Sequence, residues 1–230
     1  MIGCRHFVIA GLFVAIGGAT TRAQSDEPAL RPKHITLAAG WLVNGGYPVG
    51  DRNAELRRNA TGTPPPFTLF RAEADLGVVN GIEGRVGYAI TRAIAIELGG
   101  SYAKPQLEIA ISQDSESPDA GTIVDEISQY TVDVAGVFQL PLRFGARSRP
   151  YAIGGAGYLR QLGEDRLVVE TGRIYHVGGG LRYWLRGGSV TDRALGVRAE
   201  ARYVRRTGGL DFEDRSRGYP SFSLLAFAGF

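Results

Sequence analysis

From residue 34 onward the chain alternates apolar residues with polar or small ones. Such period-two alternation is what strands with two unlike faces require. The first stretch, about 34–44, puts Ile35, Leu37, Ala39, Trp41 and Val43 on one face. The second ends near 90 with Ile82, Val86, Tyr88 and Ile90, and the third carries Ile94, Ile96, Leu98, Gly100 and Tyr102. The fourth has Tyr130, Val132, Val134, Gly136 and Phe138, and the fifth Tyr151, Ile153, Gly155, Gly157 and Leu159. The sixth has Tyr175, Val177, Gly179, Leu181, Tyr183 and Leu185. The seventh has Leu195, Val197, Ala199, Ala201 and Tyr203, and the eighth Phe222, Leu224, Ala226, Ala228 and Phe230. Glycine supplies 33 of 230 residues, roughly twice the usual share, which weighs against a helical fold.

The connections alternate between short and long. Thr91-Arg92, 140–149 and 187–192 are short; 45–67, 113–125, 162–171 and 207–219 are longer, polar and rich in Gly, Pro, Asp and Arg. Turns at one end and loops at the other define up-and-down hairpins, the layout of transmembrane β-barrels. One stretch leaves the count open. Alternation upstream of the second strand continues through Phe70, Ala72, Ala74, Leu76 and Val78, and the third strand extends past Pro105 into residues 107–111. These extensions make either one long hairpin rising above a membrane or an extra strand pair turned at Asn80-Gly81. The first reading, eight strands in all, is the one adopted.

The opposite faces carry charge: Glu83 and Arg85, Glu97, Asp133, Arg182, then Arg198, Glu200 and Arg202. In a soluble carrier barrel of the lipocalin kind these would be solvated and the apolar face would line the inside. The aromatic residues favour the membrane arrangement. Tyr130 and Phe138, Tyr175 and Tyr183, and Phe222 and Phe230 are pairs eight residues apart on apolar faces. At ~3.3 Å per residue and ~40° tilt, such a pair spans roughly 20 Å, near the height of an outer-membrane apolar band. Trp41, Tyr102 and Tyr203 join the loop-side girdle, and Tyr88 and Tyr151 the turn-side one. The eight ionisable residues then face inward. A lumen of eight strands is narrow enough for side chains to fill, and charges away from water need partners. The expectation is an Arg–carboxylate network that plugs the barrel. A narrow passive channel for small solutes is the alternative.

The first residues stand outside this pattern. Arg5 and His6 precede an apolar run from Phe7 to Ile16, and Thr21-Arg22-Ala23 offers small residues at a cleavage site. This reads as a signal peptide over residues 1–23, too short in its apolar run to span a membrane. A short periplasmic segment, 24–33, and the barrel, 34–230, follow. Cleavage removes Cys4, Arg5 and Arg22, which takes the 26 basic residues to 24 against 23 acidic ones. A near-neutral chain gives no electrostatic basis for nucleic-acid binding, and a chain without Cys has no disulfide or Cys-based metal site. No cofactor and no metal are expected.

Ser221 to Phe230 alternates up to an aromatic last residue, as does the C-terminal signal of outer-membrane barrels. With Gly84-Arg85-Val86-Gly87-Tyr88, residues 150–158 and Glu200-Ala201-Arg202-Tyr203, the chain resembles the small outer-membrane β-barrel family of the OmpA-like transmembrane type. The resemblance covers roughly residues 34–230. It implies an eight-stranded barrel in a Gram-negative-type outer membrane, without the peptidoglycan-binding domain that follows the barrel in OmpA. It also implies partners: outer-membrane lipid and lipopolysaccharide, and the barrel-assembly machinery through the strand ending at Phe230. A monomer is expected.

Some barrels of this kind modify lipids as enzymes. That chemistry needs a nucleophile, a base and an orienting acid. Only His34 and His176 survive cleavage, and no Gly-x-Ser-x-Gly elbow is present. The expected role is therefore structural or surface-interacting, without catalysis. In the loops, Asp51 to Arg58 reads as a charged segment able to form a short helix, and Gln113 to Asp119 as an acidic tip.

Overall fold

A computed structural model describes residues 32–56, 67–112, 121–142, 144–145, 147–163, 169–186, 194–213 and 215–230. The signal peptide and the 113–119 tip lie outside them. Among the described residues twelve strands form: β1 (Ile35–Asn44), β2 (Tyr47–Leu56), β3 (Phe67–Leu76), β4 (Val79–Ala89), β5 (Ile94–Ala103), β6 (Gln106–Ser112), β7 (Gly121–Glu126), β8 (Ser128–Gln139), β9 (Ser148–Leu162), β10 (Val169–Arg186), β11 (Ala194–Gly208) and β12 (Arg217–Gly229).

Eight of the strands close an antiparallel barrel in the order β1-β12-β11-β10-β9-β8-β5-β4. Closure leaves no edge, because β1 pairs with β12 on one side and β4 on the other. Ile35 and Phe230 exchange backbone hydrogen bonds of 3.3 and 2.9 Å at the seam. Among the described residues no helix is long and apolar enough to cross a membrane.

The other four strands continue the barrel wall. β1 runs on into β2, β3 leads down into β4, β5 runs on into β6, and β7 leads into β8. The continuations form a four-stranded sheet in the order β2-β3-β6-β7, the order of the barrel strands beneath them. Gly77 N–H donates to Gln106 C=O at 3.0 Å and Ile127 N–H to Pro105 C=O at 3.0 Å, which carries the pairing across the breaks. The long hairpin is thus the arrangement found. Asn80 and Gly81 make no turn; they lie within β4, opposite Val43 and Leu42. The short helix expected near 51–58 is also absent from residues 51–56, which belong to β2. There β3 offers a ladder of backbone partners, with register shifts after Pro48 and Ala54, and a strand with a waiting neighbour outweighs weak local preference. Residues 57 and 58 lie outside the described ones.

The faces divide sharply. Leu37, Val134 and Leu224 are 46, 54 and 55% exposed on the outside. Arg85, Glu97 and Arg198 are 2, 1 and 1% exposed within. A water-soluble barrel would invert this, so the carrier reading fails on sidedness. β9 departs from its expected phase. Tyr151, Ile153 and Leu159 point inward and are buried, whereas Ala152, Ala156 and Tyr158 are outside or partly covered. Tyr151 is therefore no girdle residue. Its place among the exposed aromatics is taken by Tyr158, nearer the loops.

Candidate functional site

The lumen is filled in layers. At the turn end, Ala38, Trp184, Leu225 and Phe227 form an apolar floor. The rings of Trp184 and Phe227 meet edge-to-face, 5.8 Å between centroids. Ala89, Ala95, Ala135, Val137 and Ile153 pack beside Tyr151 next to it.

Above the floor lie all eight ionisable residues that alternation turned inward. Glu97 sits at the centre of one group. Arg182 donates to it at 2.8 Å, Arg198 at 2.8 and 2.9 Å, and Arg85 stands 3.7 Å away. Glu200 accepts from Arg198 at 2.5 Å, lies 3.0 Å from Arg202, and accepts the Tyr151 hydroxyl at 2.6 Å. Glu83 accepts from Arg85 at 2.7 Å and from Arg202 at 2.7 and 2.9 Å. Asp133 meets Arg85 at 3.5 Å and His176 Nε2 at 3.0 Å. Four guanidinium groups thus face four carboxylates, contributed by β4, β5, β8, β10 and β11. The Arg182 and Arg198 guanidinium carbons also lie 5.0 and 5.3 Å from the Tyr151 ring centroid. The delocalised cation suits an aromatic face. Buried charges so partnered are tolerated away from water.

Glycine on the inward face makes room for these side chains. A Cβ on Gly180 would stand 2.5 Å from the Tyr151 hydroxyl oxygen, and one on Gly99 2.5 Å from Asp133 Oδ1. Gly180→Ala therefore displaces Tyr151 from Glu200. The expected loss is about 1–3 kcal/mol, the usual result of overpacking, read as a lower denaturant midpoint of the folded barrel in lipid vesicles.

The loop side carries a second layer that the alternation did not single out. Gln161 donates to Gln129 at 3.0 Å and accepts from Arg206 at 3.2 Å and from the Leu210 N–H at 2.8 Å. Arg206 also donates to the Leu210 carbonyl, and its guanidinium lies 4.3 Å from the Tyr47 ring centroid. Tyr47 stacks on Tyr219 at 5.0 Å. Around them Val49, Leu76, Leu107, Leu159, Ile174 and Val204 close an apolar cap, with Leu210 and Phe212 folded onto it. Arg217 ties that segment down: it bonds Asp211 and Glu213 at 2.7 Å each and the Val49 carbonyl at 3.1 Å. Burial would raise the Asp211 carboxyl. Hydrogen bonds from Arg217 and from the Glu213 and Arg215 N–H groups outweigh it and hold the group below its ordinary value. One signal for this layer was available in the sequence: the parity that turns Arg198, Glu200 and Arg202 inward also turns Arg206 inward.

The girdle residues Trp41, Tyr88, Tyr130, Phe138, Tyr175, Tyr183, Tyr203, Phe222 and Phe230 are all exposed on the outside. Tyr102 is partly covered by its cross-strand partner Tyr130, 4.9 Å away between ring centroids. His34 precedes β1, where its carbonyl accepts from the Ala89 N–H at 3.0 Å. Among the described residues no group of three His, Cys, Asp or Glu side chains has metal-binding geometry.

An apolar exterior around a charged interior defines a membrane-spanning β-barrel. No protein-family model matches this chain, and no curated protein matches it. Among solved structures it is similar to the outer membrane protein OprG of Pseudomonas aeruginosa, with a TM-score of 0.52 and 9% identity over 90% of this chain and 99% of that one. Ail, the attachment invasion locus protein of Yersinia pestis, has a TM-score of 0.39 and 14% identity over 87% of this chain and 100% of that one. At such identity the OprG likeness speaks for the fold. That fold is the small eight-stranded barrel seen in that outer-membrane protein, and the apolar exterior requires lipid around it.

Proposed function

We propose that this chain is a non-conducting, non-catalytic outer-membrane barrel that holds a small sheet outside the cell for surface interaction. The observation that carries the reading is the succession of buried side chains along the lumen: the Trp184–Phe227 floor, the Arg–carboxylate network and the Tyr47–Tyr219 cap. The charged layer lies between two apolar ones and its guanidinium groups and carboxylates are paired across strands, which supports a closed lumen over a conduit. The wall then rises on one side as β2-β3-β6-β7, whose edge strand β7 exposes Ile123 and Val124. A plugged barrel with a one-sided extension suits an anchor for a display surface better than a conduit. On this reading β12, whose outward face carries Phe222 and Leu224, is the segment that meets the assembly machinery.

His176 is the residue on which a lipid-modifying activity would rest. Its side chain and that of Asp133 are 2 and 6% exposed, inside the barrel. A lipid ester outside the wall does not reach them, which supports the non-catalytic reading.

The test is single-channel recording in planar bilayers with the refolded protein. The expected record has no stable unitary step. A reproducible ohmic step in the unmodified protein would favour the passive channel. A lipid-hydrolysis assay run beside it is expected to show no turnover; activity lost in His176→Ala would favour the enzyme.

A further inference from the structure

Three arginines face away from the lumen on adjacent strands: Arg160 on β9, Arg173 on β10 and Arg205 on β11, all exposed. Register sets them in a diagonal row. Arg160 lies opposite Thr171 and Arg173 opposite Tyr158, so the first two are diagonal neighbours across β9 and β10. Arg173 lies opposite Thr207 and Arg205 opposite Tyr175, so the same holds across β10 and β11. Diagonal positions of this kind are ~7–8 Å apart at the backbone, within reach of one another for long side chains.

Their height on the barrel is equally defined. Arg173 follows Tyr175 by one outward-facing position toward the loops, Arg205 follows Tyr203 in the same way, and Arg160 is level with Tyr130. The loop-side aromatic girdle marks the boundary of the hydrocarbon, so the guanidinium groups stand at headgroup level on the lipid side of the wall. Among the described residues none of the three is in an ion pair. Asp211 is engaged with Arg217, and Glu213 with Arg215 and Arg217; Glu170, opposite the buried Gln161, has the parity of the inner face. On the sheet above the barrel, two other exposed cations are matched. Lys104 pairs with Glu126 at 2.6 Å, and Arg71 with Asp51 and Glu73 at 2.9 and 3.1 Å.

We propose that Arg160, Arg173 and Arg205 form a clamp for the phosphate groups of a phosphorylated glycolipid in the outer leaflet. Each guanidinium offers a planar fork that matches phosphate oxygens. The tyrosines beneath fit the junction between headgroup and acyl chain. The clamp faces lipid, so its ligand is a membrane component with chains running down the barrel wall. This assignment is independent of whether the lumen conducts.

The test uses the folded barrel in neutral detergent, with bisphosphorylated lipid A and dephosphorylated lipid A as probes. Binding is read by native mass spectrometry across a lipid titration. The unmodified protein is expected to prefer the phosphorylated probe, less so as salt is raised. The triple variant R160Q/R173Q/R205Q is expected to bind it roughly a hundredfold more weakly, at about fivefold per basic residue. A triple Lys variant, which keeps the charge and loses the planar fork, is expected to bind with an affinity between those of the parent and the Gln variant. Heat-modifiable migration in SDS gels establishes that each variant is folded; should the triple Gln variant fail to fold, Arg173→Gln alone is measured, with about a fivefold loss expected. Equal affinity for the two lipid probes, or equal affinity in the Gln variant, would overturn the clamp. Inorganic phosphate binding as tightly as lipid A would overturn its assignment to a lipid.

Discussion

Replacing Glu97 by Gln is expected to destabilise the barrel by about 3–5 kcal/mol, the usual consequence of removing one partner from a buried charge network. The residue is the acceptor for Arg182 and Arg198 and lies within 3.7 Å of Arg85. Gln occupies nearly the same volume, so packing is preserved and the change isolates charge. It leaves four guanidinium groups facing three carboxylates in a space where Arg198 is 1% exposed. An uncompensated charge there has two outlets: the strands separate enough to admit water, or the barrel unfolds at lower denaturant. Urea unfolding in lipid vesicles measures the second, and the appearance of flickering current in bilayers the first. A variant as stable and as silent as the parent would mean that the network is not what holds the lumen closed.

A second large effect is expected on the opposite face. Val134 lies midway between the girdle residues Tyr130 and Phe138 of β8 and is 54% exposed. Val134→Arg places a cation near the middle of the hydrocarbon, at a cost of about 2–4 kcal/mol. The same residue introduced at Thr122, exposed on β7 outside the membrane, is expected to change stability by no more than ~0.5 kcal/mol. The contrast matters more than either value, because a soluble barrel would tolerate both. Equal, small effects at the two positions would argue that Val134 does not face lipid.

The division of labour between the two faces was legible in the chain because outward positions are nearly all apolar while inward ones mix charge with Gly. Where both phases are apolar the signal fails. In β9 the set Tyr151, Ile153 and Leu159 alternates with Ala152, Ala156 and Tyr158, and hydrophobicity cannot choose between them. Charge on neighbouring strands decides: Tyr151 is needed inside, where it donates to Glu200, a residue 49 positions away. Such partners are invisible along the sequence, as is the link between Arg182 and Glu97, 85 positions apart. The membership of the network could be read from parity; its pairing required the register. The upper sheet was partly hidden. β3 and β6 alternate well enough to be seen, but β2 carries Pro48, Gly50 and four charged or amide residues in ten. Alone it reads as a loop, and it becomes a strand because β3 is beside it. The cap followed that strand out of view: Tyr47 and Val49 lie in what reads as loop, yet both are buried.

The two tryptophans of the chain allow the sidedness of the barrel to be measured without adding a probe. Trp41 is 71% exposed on the outer face of β1, whereas Trp184 is 5% exposed in the floor of the lumen. In vesicles of lipid brominated along the acyl chain, the Trp184→Phe protein, which keeps Trp41, is expected to lose most of its fluorescence. The Trp41→Phe protein, which keeps Trp184, is expected to stay bright and also to resist aqueous acrylamide. Strong bromine quenching of Trp184 with Trp41 left bright would contradict the arrangement of greasy wall and charged centre from which the rest is built.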